Sequence, residues 1–70
     1  MHVKYSPDKV RVLMRRKGLS TRDVASRSSR KIGHSSVSRM ASGEHEKAQE
    51  DKLKALASAL GVRMEDLLEN

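Results

Sequence analysis

The side chains best suited to chemistry lie in one stretch. His34, Ser35, Ser36, Ser38 and Arg39 place an imidazole, short hydroxyls and a guanidinium in near succession. Their chemistry is hydrogen bonding, with no sign of bond making. A nucleophilic serine needs a histidine base that an acid orients, and no Ser, His and Asp stand in such an arrangement. His2, His34 and His45 lack the helical i, i+4 spacing of a metal site, and there is no cysteine to join them. The chain has no Phe or Trp and only Tyr5 as an aromatic, so no aromatic-lined cofactor pocket can form. Neither an enzyme nor a cofactor, a metal or a small-molecule substrate is expected. What remains is recognition. Short hydroxyls let a backbone approach a ligand closely, and arginine offers a planar fork to two acceptors at once. Plain solvation of a polar surface accounts for the same residues less specifically.

The charge indicates the sign of the ligand. The 70 residues carry a net +6, unevenly spread. Residues 1–43 hold eleven Lys and Arg against Asp8 and Asp23 alone, whereas residues 44–70 hold four basic and seven acidic groups. A basic half joined to an acidic half predicts one face for a polyanion and another for something else. A membrane surface fits less well, because no helix sets bulky apolar residues and Trp or Phe anchors against a basic face. The first twenty residues contain no apolar run, so neither a signal peptide nor a membrane span is expected. The lack of cysteine fits a reducing cytosol.

The elements that must position these residues are short helices separated by glycines. The first is predicted over Pro7–Lys17. Ser6 caps it, Pro7 suits its first position, Asp8 favours its positive end, and Arg15, Arg16 and Lys17 favour its negative end before Gly18. The second begins after Leu19, with Ser20 and Asp23 as a capping box, and ends between Ser28 and Arg30. The third is predicted over His34–Ser42, with Val37 and Met40 inward and Gly43 as its stop. Serine is a mediocre helix former, so this helix needs tertiary support. The fourth has Leu53, Leu56, Ala57 and Leu60 at i, i+3, i+4 and i+7, with Glu50 and Asp51 in its first turn and Gly61 after its end. A fifth is predicted over Arg63–Glu69 from Met64, Leu67 and Leu68. No segment alternates at period two, so no sheet is expected. Residues 1–5 read as a loose N-terminal arm on a single domain spanning 1–70. Helices two and three are the natural reader pair of a helix-turn-helix module.

The order of the motifs then resembles the lambda-type phage repressor and Cro helix-turn-helix family, also called the XRE family. Gly18-Leu19-Ser20 opens a helix carrying Val24-Ala25, and Ser36-Val37-Ser38-Arg39-Met40 runs to Gly43. Leu53-Lys54-Ala55-Leu56-Ala57-Ser58-Ala59-Leu60-Gly61-Val62 then leads into Glu65-Asp66-Leu67-Leu68-Glu69. The likeness runs from about Val10 to Glu69. It implies an all-α, five-helix lambda-repressor-like fold and a transcriptional regulator that binds specific double-stranded DNA in the bacterial cytoplasm or nucleoid. A phage or mobile-element repressor or a Cro-like protein is the closest type. The family's usual arrangement is a homodimer on a palindromic operator.

The resemblance also implies roles. Thr21 lies where the second helix meets a phosphate. His34, Ser35, Ser36 and Arg39 lie on the face that enters the major groove, with Ser38 flanking it. His45 and Lys47 lie in a loop that touches backbone. Arg22, Arg30 and Lys31 are suited to phosphates along the edges. The sequence departs from the family in two places. The link Ser28-Ser29-Arg30-Lys31-Ile32-Gly33 is about two residues long for the family, which implies either a longer second helix or a wider loop. The family's ion pair between helix one and the end of helix three is replaced by Met14 and Ala41, both apolar, which predicts direct packing of the two. A rival of a different class is a protein-interaction module, an antitoxin or adaptor, docking through Glu65, Asp66 and Glu69 beside Leu67 and Leu68. Non-specific nucleoid binding is a third reading.

Overall fold

The computed structural model describes residues 2–29 and 31–69. Within them the chain forms strand β1 (His2–Lys4), helices α1 (Pro7–Lys17), α2 (Thr21–Arg27) and α3 (His34–Ser42), strand β2 (Lys47–Gln49), helix α4 (Glu50–Leu60) and a 3-10 turn (Met64–Leu67). The helix ends follow local chemistry. The Ser6 hydroxyl accepts from the Lys9 N–H at 3.4 Å, and Gly18 closes α1 at φ +63°, a left-handed conformation that costs glycine little. At the start of α2 the Ser20 hydroxyl accepts from the Asp23 N–H at 3.2 Å while the Asp23 carboxylate accepts from the Ser20 N–H at 3.0 Å.

The core lies between the helices and is built mainly from Val10, Val24, Val37, Leu53, Leu56, Leu60 and Leu67, all without exposed surface. α2 packs on α3 and α4, and α1 packs on α3. Met14 and Ala41 are both buried, one on each of two helices that pack together.

Three expectations need correction. A sheet does exist. β1 and β2 pair antiparallel, with His2 opposite Gln49, Val3 opposite Ala48 and Lys4 opposite Lys47. Each strand has three residues, too few for alternation to register as a pattern. The arm is not loose either, although Met1 lies outside the described residues. Tyr5 is fully buried. Its N–H donates to the Glu46 carbonyl at 2.9 Å, and the Ser6 N–H donates to the Leu67 carbonyl at 2.8 Å. Finally, the segment predicted as a fifth helix over Arg63–Glu69 forms only the 3-10 turn. The described fold is therefore four α-helices with a small sheet, mostly helical where all-α was expected. Met64, Leu67 and Leu68 fit either helix type, but one anchored residue, the buried Leu67, supports only a short turn.

The segment between α2 and α3 is not taken up by a longer second helix. α2 stops at Arg27, and Ser28 is buried. The Ser28 hydroxyl donates to the Ala25 carbonyl at 2.6 Å and accepts from the Ile32 N–H at 3.3 Å. Ile32 is buried beneath it, so one serine and one isoleucine fix a loop that would otherwise leave the aim of α3 undefined. Ser29 takes a left-handed φ of +59°, uncommon for a residue with a Cβ.

Candidate nucleic-acid interface

α3 turns Val37, Met40 and Ala41 into the core and His34, Ser35, Ser38 and Arg39 to solvent. His34 and Ser38, and Ser35 and Arg39, stand four apart, so these side chains form one stripe along the helix. Ser36 is half-buried at its margin. The Arg39 guanidinium makes no hydrogen bond or ion pair with a described residue, which leaves its fork open to a ligand.

The carboxyl end of α3 is held from several directions. The Ser42 hydroxyl donates to the Arg39 carbonyl at 3.0 Å, and Arg11 of α1 donates to the Ala41 carbonyl at 3.0 Å. The Tyr5 hydroxyl donates to the His45 carbonyl at 2.8 Å, with the Met40 carbonyl a longer contact at 3.4 Å. Burial pushes the Tyr5 phenol above its usual pKa, so it remains a donor. At the amino end Gly33 caps the helix without a side-chain bond. The first backbone N–H groups of α3 therefore have no partner within the helix and meet the positive end of its dipole.

The expected contact residues fall into separate groups. Ser36, Arg39 and Lys47 line one open groove of about 310 Å³ between α3 and the sheet. Arg22 and His34 line a second, between α2 and the start of α3. Lys31 is exposed but lines a third groove with Arg27, Lys54 and Asp51, so it is not brought to Arg39. Thr21 is half-buried at the start of α2, beside a carboxylate. Asp23 sits below the usual carboxylate range because the Ser20 backbone N–H and hydroxyl hold its charged form. That negative charge opposes a phosphate at the α2 end, whereas the α3 end has no acid in its first turn. Arg30 lies outside the described residues.

Charge alone overstates the binding face. Four cations of the basic half are engaged within the fold. Lys9 donates to the Leu68 carbonyl at 2.8 Å, Arg11 to Ala41, Arg27 to the Ala59 carbonyl at 3.4 Å, and Lys4 pairs with Glu69 at 3.8 Å. Sequence reasoning missed Tyr5 and Arg11 as the residues that aim α3. A signal was present for Tyr5, since the only aromatic in a chain with so small a core is a natural core residue. No signal marked Arg11 among its basic neighbours.

No group of three or more His, Cys, Asp or Glu among the described residues could hold a metal ion, and no described helix is long and apolar enough to cross a membrane. No curated protein and no solved structure matches the chain. A family model described as a helix-turn-helix domain matches residues 8–70, which takes in α2, the link after it and α3 together with the helices that support them. The chain belongs to the helix-turn-helix domain family.

Proposed function

We propose that this protein is a transcriptional regulator that binds specific sequences of double-stranded DNA, with α3 in the major groove. The observation that carries the reading is the outer face of α3. Its hydroxyls, imidazole and unengaged guanidinium stand on a helix whose other face is locked into the core. An Arg fork can take guanine O6 and N7 together, and short hydroxyls keep the helix close to the base edges. Lys47 and Arg22, in grooves on the two sides of α3, supply cations for the phosphate backbone. Lys31 is a weaker candidate for the same role, because Asp51 shares its groove. The best-fitting type is a phage or mobile-element repressor or Cro-like protein, acting by promoter occlusion in the bacterial cytoplasm and binding as a homodimer on a palindromic operator.

Selection of bound sequences from a random duplex pool tests this directly. A palindromic consensus is the expected result, and a single half-site would replace the dimer with a monomer. Failure to enrich any sequence would overturn specific recognition. With about three to five phosphates neutralised per subunit, the log–log salt slope should be roughly −3 to −5 per subunit. A flat response would rule out the basic face as the binding surface.

A second reading, a module for a protein partner, draws support from α1. Val12 is 46% exposed, and with Leu13 and Val62 it lines an open groove flanked by Asp8, Arg16 and Asp66. Leu67 does not belong to such a surface, because it is buried. Co-purification of a protein partner that is lost in Val12→Ser, with no retention on duplex DNA, would favour this reading.

A further inference from the structure

The groove between α3 and the sheet is lined by three cations and two imidazoles. Arg39 forms one side. The other carries His2 from β1, His45 and Lys47 from the connecting loop and β2, and Lys52 from the first turns of α4. No acidic residue lines it. Lys47 and Lys52 make no ion pair with a described residue. His2, Lys4, Lys47 and Gln49 share the exposed face of the sheet, and Lys4 stands directly opposite Lys47. Lys4 is paired with Glu69 at 3.8 Å, so Lys47 is the ammonium of that face left without an ion pair among the described residues.

We infer that strand β1 is part of the DNA interface: His2 and Lys52 take a backbone phosphate of the duplex on the side of the groove facing Arg39. This rests on the DNA-binding reading above and extends it to residues far from α3 in sequence. The imidazole N–H of His2 can donate to a phosphate oxygen, and the Lys52 ammonium supplies a compact charge. The Tyr5 hydroxyl acts as a positioning group, because its bond to the His45 carbonyl holds the loop and β1 against the end of α3.

The test is titration of His2→Ala, Lys52→Ala and Arg39→Ala on the selected duplex and on random duplex over a salt series. Arg16→Ala serves as a control, since it removes one exposed cation from a groove that holds Asp8 and Asp66. Thermal unfolding establishes that each variant folds. Lys52→Ala should weaken both duplexes by a similar factor and make the salt slope shallower by about 0.9. His2→Ala should weaken both by about two- to tenfold, the range of one hydrogen bond. If Arg39→Ala loses site preference while His2→Ala and Lys52→Ala behave like Arg16→Ala, the strand is not in the interface and the parent reading stands. If the unchanged protein binds no duplex DNA, both readings fall.

Discussion

At its carboxyl end α3 is held by Ser42, by Arg11 from α1 and by the Tyr5 hydroxyl from beyond β1, while at its amino end Gly33 offers no side-chain bond. The neighbouring helix α2 is built the other way, with a reciprocal Ser20–Asp23 cap closing its amino end. The difference lies in where each helix gains its stability. The cap of α2 satisfies orphan donors of its own first turn, whereas the amino end of α3 leaves its donors and dipole open, as the proposed contact with a polyanion would use. In α3 that stability comes from long-range anchors at the far end and from Val37, Met40 and Ala41 beneath.

The strongest way to break this comparison is to remove the anchor. Tyr5→Ala deletes a fully buried ring and should cost about 3–5 kcal/mol. A chain of this length commonly has only roughly 4–10 kcal/mol in total, so urea unfolding should find the variant largely unfolded at modest denaturant. Tyr5→Phe keeps the ring and should cost about 1 kcal/mol. Equal stability of Tyr5→Ala and the parent would show that α3 is aimed without the arm.

The next effect is on binding alone. Arg39 is exposed and its side chain makes no bond with a described residue, so Arg39→Ala should leave the unfolding midpoint nearly unchanged. It should lose about 1–3 kcal/mol on the selected duplex and much less on random duplex. Lys31→Ala should instead weaken both duplexes alike, and less than one full phosphate contact would, because of Asp51. If the folded Arg39 variant retains its full preference, the register assigned to α3 is wrong.

Closing the open end of α3 sharpens the comparison. Gly33 has φ −75° and nothing near the position of an added Cβ, so a side chain is accommodated there. Gly33→Asp would cap the first turn and raise stability by a few tenths of a kcal/mol, about the gap between glycine and aspartate caps. On the proposed reading it should also weaken duplex binding, since a carboxylate would occupy donors otherwise open to a phosphate. A variant that becomes more stable and binds equally well would remove the amino end from the interface.

The smallest effect concerns the closed end of α2. The Asp23 carboxyl is held below its usual range. A depressed folded pKa contributes stability above the unfolded carboxyl range, near pH 4, and that contribution is lost as pH falls through the folded value. Asp23→Asn should therefore show a shallower decline of the urea midpoint below about pH 4 than the parent. A parallel decline would mean that the cap does not hold the charge.

Much of this could be read before folding was considered. α1 and α3 have the predicted bounds, and Ser6, Ser20–Asp23, Gly18, Gly43 and Gly61 end the helices where expected, because caps and turns involve residues only a few positions apart. The outward placement of His34, Ser35, Ser38 and Arg39 follows from helical period once Val37 and Met40 are recognised as core. The sheet could not be read in this way. His2 and Gln49 meet across most of the chain, and three-residue strands carry no period of their own.

The local order of hydroxyl caps, glycine stops and apolar stripes thus determined by itself that this chain is mostly helical, where α1, α3 and α4 lie, and which face of α3 is exposed. Only the tertiary structure decided how α3 is aimed and which cations surround it. The bonds responsible join Arg11 to Ala41 and Tyr5 to His45, and the groove joins His2 to Lys52. Each joins residues at least 30 positions apart, so nothing in the spacing of neighbours marks them. A lysine or arginine looks the same in sequence whether it is bonded to a backbone carbonyl of the fold, as Lys9 and Arg27 are, or lines an open groove without an ion pair to a described residue, as Arg39 and Lys52 do.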